Sequence, residues 1–152
     1  MGRDYTRMTE ALTRAYELKD RLTESERYHV VGIYYWAVTH ERDRAISTYE
    51  EMVDRGIGGG KNNLAVFYRA ARRWAEAEAL LSELLDSGSV RPLAFTNLIN
   101  AQATQGKFAA AEATLEAFGD SLPSHPLFPS YRAYLVSAGG DYAKARAVLR
   151  RR

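Results

Sequence analysis

The chain is predicted to be all-α, a right-handed superhelix (α-solenoid) of antiparallel helix pairs: about four pairs behind one orphan helix. Three observations predict this. A small residue recurs at a near-constant interval, since Ala11, Ala45, Ala77, Ala111 and Ala145 are separated by 34, 32, 34 and 34 residues. Around these anchors the pattern repeats: Arg42, Trp74, Phe108 and Tyr142 stand three residues before, and Tyr49, Leu81, Leu115 and Leu149 four after. Glycine or proline punctuates the joints. Self-similarity at this period marks stacked supersecondary units, each too small to bury its own apolar face. The small anchor fits a point where two helices press together, because a larger side chain there would hold the axes apart.

Taken in order, the orphan helix covers about 4–21, with Met8, Leu12, Ala15 and Leu18 on one face and Asp4 placed as its cap. The first pair, about 24–55, opens at Thr23-Glu24-Ser25-Glu26, whose capping-box form lets Thr23 and Glu26 satisfy each other's free amides. Tyr28, Val31, Ile33, Tyr35 and Trp36 cannot share one narrow stripe, so this helix is expected between the orphan helix and its own partner. Gly56-Ile57-Gly58-Gly59-Gly60 must be a loop, because each glycine costs a helix about 1 kcal/mol against alanine. The second pair covers about 61–87 and is stopped by Gly88. Pro92, suited to a first helical turn, opens the third at about 91–118, with Gly106 at its turn. Leu122 to Pro129 holds three prolines and reads as a connector to a fourth pair at about 126–152. Together these make one domain, 1–152.

Composition narrows the function classes. A formal net charge of +2 is too weak to argue for nucleic acid or an acidic membrane, and without cysteine there is no disulfide framework and no thiolate metal site. No apolar run is long enough for a signal peptide core or a bilayer span, so a cytoplasmic location is expected if the chain is not part of a longer protein. His29, His40 and His125 fall far apart in the repeat frame and form neither a zinc set nor a triad. Gly-Lys at 60–61 invites a phosphate-loop reading. However, Arg55 stands where the first glycine belongs, Asn62 replaces the hydroxyl residue, and a helix precedes it in place of a strand. No enzyme, cofactor or metal is expected.

The small anchors, the aromatic residue before most of them, the large residue after and the mid-helix Trp36 and Tyr68 together resemble the tetratricopeptide repeat. NLAVFYRAARRWAEAEALLSELL and NLINAQATQGKFAAAEATLEAF carry the resemblance best, and it covers nearly the whole chain. There are departures: Arg42 replaces an aromatic residue, and Gln102 and Val136 replace the mid-helix tyrosine. The first repeats are also similar to repeat regions of bacterial multidomain regulators such as serine/threonine kinases, although the kinase motifs themselves are absent.

The resemblance implies a protein-protein interaction scaffold whose first helices line a concave groove for a peptide or protein segment. In this sequence that groove would be lined by Tyr34, Asn63, Val66, Arg69, Asn97, Asn100, Tyr131 and Tyr134, with Thr96 and Ala103 on the same surface. Asn63 and Asn97 are 34 residues apart and equivalent, and an amide that both donates and accepts suits a peptide backbone. Two alternatives stay open: that the asparagines simply face solvent, and that Tyr34 and Tyr134 pack between repeats. A clamp for a terminal carboxylate is not assembled, because Leu93 and Asn97 stand where it needs basic residues. Arg69, Arg72 and Arg73 otherwise read as a solvated basic face. The rival function is a self-assembling structural module, a homo-oligomer joined through uncapped terminal helices.

Overall fold

The computed structural model describes residues 2–138, with side chains from Tyr5 onward. Within that span lie helices α1 (Gly2–Glu17), α2 (Glu24–Ala37), α3 (Arg42–Asp54), α4 (Gly60–Ala70), α5 (Trp74–Asp86), α6 (Pro92–Thr104), α7 (Phe108–Ser121) and α8 (Leu127–Ala138). No strand occurs among the described residues. The expected helix at 142–152, with Tyr142, Ala145, Val148 and Leu149, and the Gly139-Gly140-Asp141 turn lie outside them. Contacts divide the chain into two compact units, 1–67 and 68–152.

In the first unit α2 packs on both α1 and α3, as its all-round apolar surface requires. The orphan segment is shorter than its pattern suggests: α1 ends at Glu17, and a 3-10 turn at Lys19–Arg21 leads toward α2. Because α1 already begins at Gly2, Asp4 lies inside its first turn, not at the cap. The capping box at α2 is complete. Glu26 accepts from the Thr23 amide at 2.9 Å, and the Glu26 amide donates back to Thr23 Oγ1 at 3.4 Å. The Thr23 contacts hold the Glu26 carboxyl below its ordinary range.

Ala45, Tyr49 and Met52 on the inner face of α3 are fully buried, and the anchor lets α2 approach so closely that only glycine fits opposite. A Cβ on Gly32 would overlap the Tyr49 ring, standing 2.7 Å from its Cδ2. Arg42 breaks the aromatic pattern at its position, yet its guanidinium lies 4.9 Å from the Trp36 ring centroid, a cation–π contact where other repeats place an aromatic side chain. On the other side Trp36 stacks on Phe67 at 4.6 Å. His29 Nδ1 meets the Tyr49 hydroxyl at 3.1 Å and the Asn63 amide nitrogen at 3.3 Å. Burial pushes the His29 pKa down and that of the Tyr49 hydroxyl up to about 12.

In the second unit α6 packs against α5 and α7, and more lightly against α8. The core is a seam of Phe95, Ile99, Ala103, Ala111, Leu115, Phe118 and Leu135. Phe95 stacks on Phe118 at 5.2 Å, and Phe128 meets Phe118 edge-on at 6.2 Å. Gln102, the second departure from the aromatic pattern, is buried, and its carbonyl oxygen accepts from Thr114 Oγ1 at 2.9 Å. That bond is what makes a buried amide tolerable there.

The turns within successive pairs share one conformation. His40, Arg72 and Gly106, each five residues before its anchor, have φ of 59°, 62° and 74°. The left-handed region suits glycine, and only the third turn supplies one. Ala45, Ala77 and Ala111 are all fully buried, whereas Ala11 is exposed.

Candidate functional site

The first helices α2 and α6 pack on their partners α3 and α7. In the second unit, α6, the end of α4 and α8 supply five of the expected groove residues, in two groups held by side-chain contacts. Arg69 Nη1 donates to Asn97 Oδ1 at 2.6 Å. One turn further along α6, Asn100 Nδ2 donates to the Tyr131 hydroxyl at 3.1 Å. Tyr131 in turn meets Tyr134 edge-on at 6.1 Å, and Tyr134 is exposed.

These positions follow from local sequence. Residues 97 and 100, like 131 and 134, are three apart and therefore lie on one face of their helix. Leu98, Ile99 and Ala101 are buried, which turns the intervening asparagines to the margin of the core. Tyr131 packs its ring against the seam and keeps its hydroxyl at the polar edge.

Arg69 is unlike its neighbours in sequence. The expected solvated basic face of Arg69, Arg72 and Arg73 does not exist as a group. Arg73 pairs with Glu76 at 2.6 Å and stacks on Tyr68, whereas Arg69 is half-buried and its Nε has no hydrogen-bond partner. Burial pushes the Arg69 pKa down, while the phenols of Tyr131 and Tyr134 pull the other way. The guanidinium stays charged, since its ordinary value is far above neutrality.

Three expected residues belong to the first unit. Tyr34 is stacked on Tyr16 of α1 at 4.0 Å and 14°, Asn63 contacts His29, and Val66 is exposed. Thr96 and Ala103, expected on the free surface, are buried, because α6 carries neighbours on several sides and its free face is narrower than a two-sided helix would have. Sequence reasoning missed Tyr16, Gln105 and Glu78 as organising side chains. Glu78 accepts from Gln105 at 2.8 Å and Lys107 at 2.6 Å, contacts between helices that no spacing within one helix announces. Burial raises the Glu78 pKa, but these hydrogen bonds outweigh it and the net shift is downward.

Two clefts in the first unit, of about 690 and 510 Å3, contain none of the expected residues. The first lies along α1 and the second between α2 and α3, where Arg55 pairs with Glu24 at 2.5 Å and Arg44 with Glu41 at 2.7 Å. Among the described residues no cluster of three or more metal-ligating side chains occurs, and no helix is long and apolar enough to cross a membrane.

The family model for the tetratricopeptide repeat matches residues 92–117, which span α6 and most of α7. Two solved structures share the fold. MamA AMB-1, in the P212121 crystal form, is 17% identical with a TM-score of 0.65, over 97% of this chain and 80% of that one. MamA MSR-1, in the C2 form, is 19% identical with a TM-score of 0.66, over 97% and 84%. No curated protein sequence gives a significant match. The tetratricopeptide-repeat model thus matches one helix pair, residues 92–117, and the fold of the two solved structures is shared along nearly the whole chain.

Proposed function

We propose that the chain is a non-catalytic protein-interaction scaffold, and that in its second unit an extended peptide or protein segment lies across Arg69, Asn97, Asn100, Tyr131 and Tyr134. The observation that carries the reading is the placement, one turn apart on α6, of two linked groups, Arg69 with Asn97 and Asn100 with Tyr131 and Tyr134. Two side-chain amides one turn apart offer donors and acceptors to a peptide backbone whatever its sequence, and Tyr134 adds an apolar face with a hydroxyl tip. The tetratricopeptide repeat at 92–117 supports the same class of function.

The test is selection of ligands from a random twelve-residue display library on the immobilised chain, followed by fluorescence anisotropy of the enriched peptides. In the Asn97→Ala/Tyr134→Ala variant affinity should fall at least about tenfold, the scale of losing two interface contacts. Circular dichroism should stay that of the parent. Failure to enrich any peptide, or undiminished affinity in the variant, would sink the assignment.

A second reading, self-assembly through a terminal helix, is favoured by one observation: α1 leaves Tyr5 and Met8 exposed, and Leu18, just past its end, is exposed at the 690 Å3 cleft. Light scattering that shows a monomer at millimolar concentration would remove it.

A further inference from the structure

We infer that the ligand of the second unit presents an internal aspartate or glutamate side chain, and that its carboxylate is received by the Arg69 guanidinium between Asn97 and the Tyr131–Tyr134 pair. This rests on the interaction surface proposed above and specifies its chemistry.

The physical ground is an unmet charge. A guanidinium that gives up water is normally compensated by a carboxylate or by a full set of hydrogen bonds. Arg69 has neither. It is half-buried, no carboxylate pairs with it among the described residues, its Nη1 bonds a neutral amide, and its Nε is buried without a partner. The other arginines with resolved pairing behave differently: Arg44, Arg55 and Arg73 each hold a glutamate. The side chains near Arg69, namely Asn97, which it bonds, and the phenols of Tyr131 and Tyr134, are neutral and carry N–H and O–H donors, so they add to an anion's binding and do not compete with it.

The commitment to a side chain within a peptide, and against a chain end, follows from what lies beside the cation. Asn97 and Asn100 are spaced one helical turn apart and the exposed Tyr134 lies beyond them, which leaves polar and apolar contacts for a main chain continuing past the acidic residue. A chain terminus would use a single end of that surface and would call for more than one cation.

The experiment extends the same selection. Enriched peptides, acetylated and amidated at their ends, should share one acidic position. Replacing that residue with its amide should weaken binding to the parent at least about tenfold, as expected for a charge-assisted pair, and should change nothing on Arg69→Gln. Arg69→Lys, which keeps the charge without the planar fork, should recover part of the difference. Thermal melts of both variants should stay close to the parent, which separates lost recognition from lost fold. Enriched peptides that lack an acidic position, yet lose affinity on Asn97→Ala/Tyr134→Ala, would overturn this inference and leave the interaction surface standing. Peptides that depend on a free terminal carboxylate would also overturn it. If no peptide is enriched, or if none responds to Asn97 and Tyr134, the surface itself is refuted and the inference with it.

Discussion

At the scale of single residues, two of the departures from the repeat pattern have a physical answer. Arg42 replaces an aromatic side chain by laying its cation on Trp36, and Gln102 replaces a tyrosine by bonding Thr114. Gly32 carries a cost of a different kind, since its missing Cβ is where Tyr49 lies and Tyr49 is fully buried with no room to yield. Gly32→Ala should therefore destabilise the fold by about 1–3 kcal/mol, the range for overpacking a core, and chemical denaturation will show it as a lower midpoint. His29 makes a prediction in pH. Burial lowers its folded pKa below the unfolded value of about 6.5, so as pH falls through that value the unfolded chain takes up a proton that the folded chain refuses. Stability is present above that pH and is lost below it. The urea midpoint should drop between pH 7.5 and 5.5, and His29→Asn should flatten that part of the profile. None of this was legible beforehand, because His29, Tyr49 and Asn63 come from three helices and no spacing along the chain links them.

At the scale of elements, the sequence signals that held were those a backbone reads locally. Thr23 and Glu26 close the capping box that their spacing promised, and Thr23→Ala should cost about 1 kcal/mol by freeing an N-terminal amide, which a thermal melt will register. Pro92 begins α6 and Gly106 makes the following turn in the left-handed region. The equivalent turns at His40 and Arg72 adopt that region without glycine. Since a side chain there is strained by roughly 1–2 kcal/mol and glycine gives back part of that as lost chain entropy, Arg72→Gly should stabilise the protein by about 0.5–1 kcal/mol. A lower denaturation midpoint in that variant would contradict the turn geometry. The end of α1 was not legible in the same way: Leu18 continues the apolar stripe, yet the chain tightens to a 3-10 turn at Lys19–Arg21 before α2.

At the scale of the whole molecule, helices meet the helices next to them in sequence: α1 with α2, α2 with α3, α5 with α6, α6 with α7 and α7 with α8. Contacts of such short range close small loops, so the main refolding phase should be complete within milliseconds, and a dominant phase of seconds in stopped-flow fluorescence of Trp36 and Trp74 would refute this. The same locality is why the helix pairs could be read from the chain. An interval of about 34 residues, a small residue at each crossing and breakers at the joints are one-dimensional facts, and a stack of nearest neighbours is nearly a one-dimensional object. The sequence by itself thus determined the class of fold and the buried anchors Ala45, Ala77 and Ala111, though not the place of Ala11, which is exposed. Tertiary structure alone decided which side of each first helix stays free. It buried Thr96 and Ala103, turned Tyr34 onto Tyr16, joined Asn63 to His29, and left Arg69 half-buried beside Asn97 without a carboxylate. The physical reason is that burial and charge compensation depend on every neighbour a side chain meets, and those neighbours come from helices whose faces the repeat pattern does not fix.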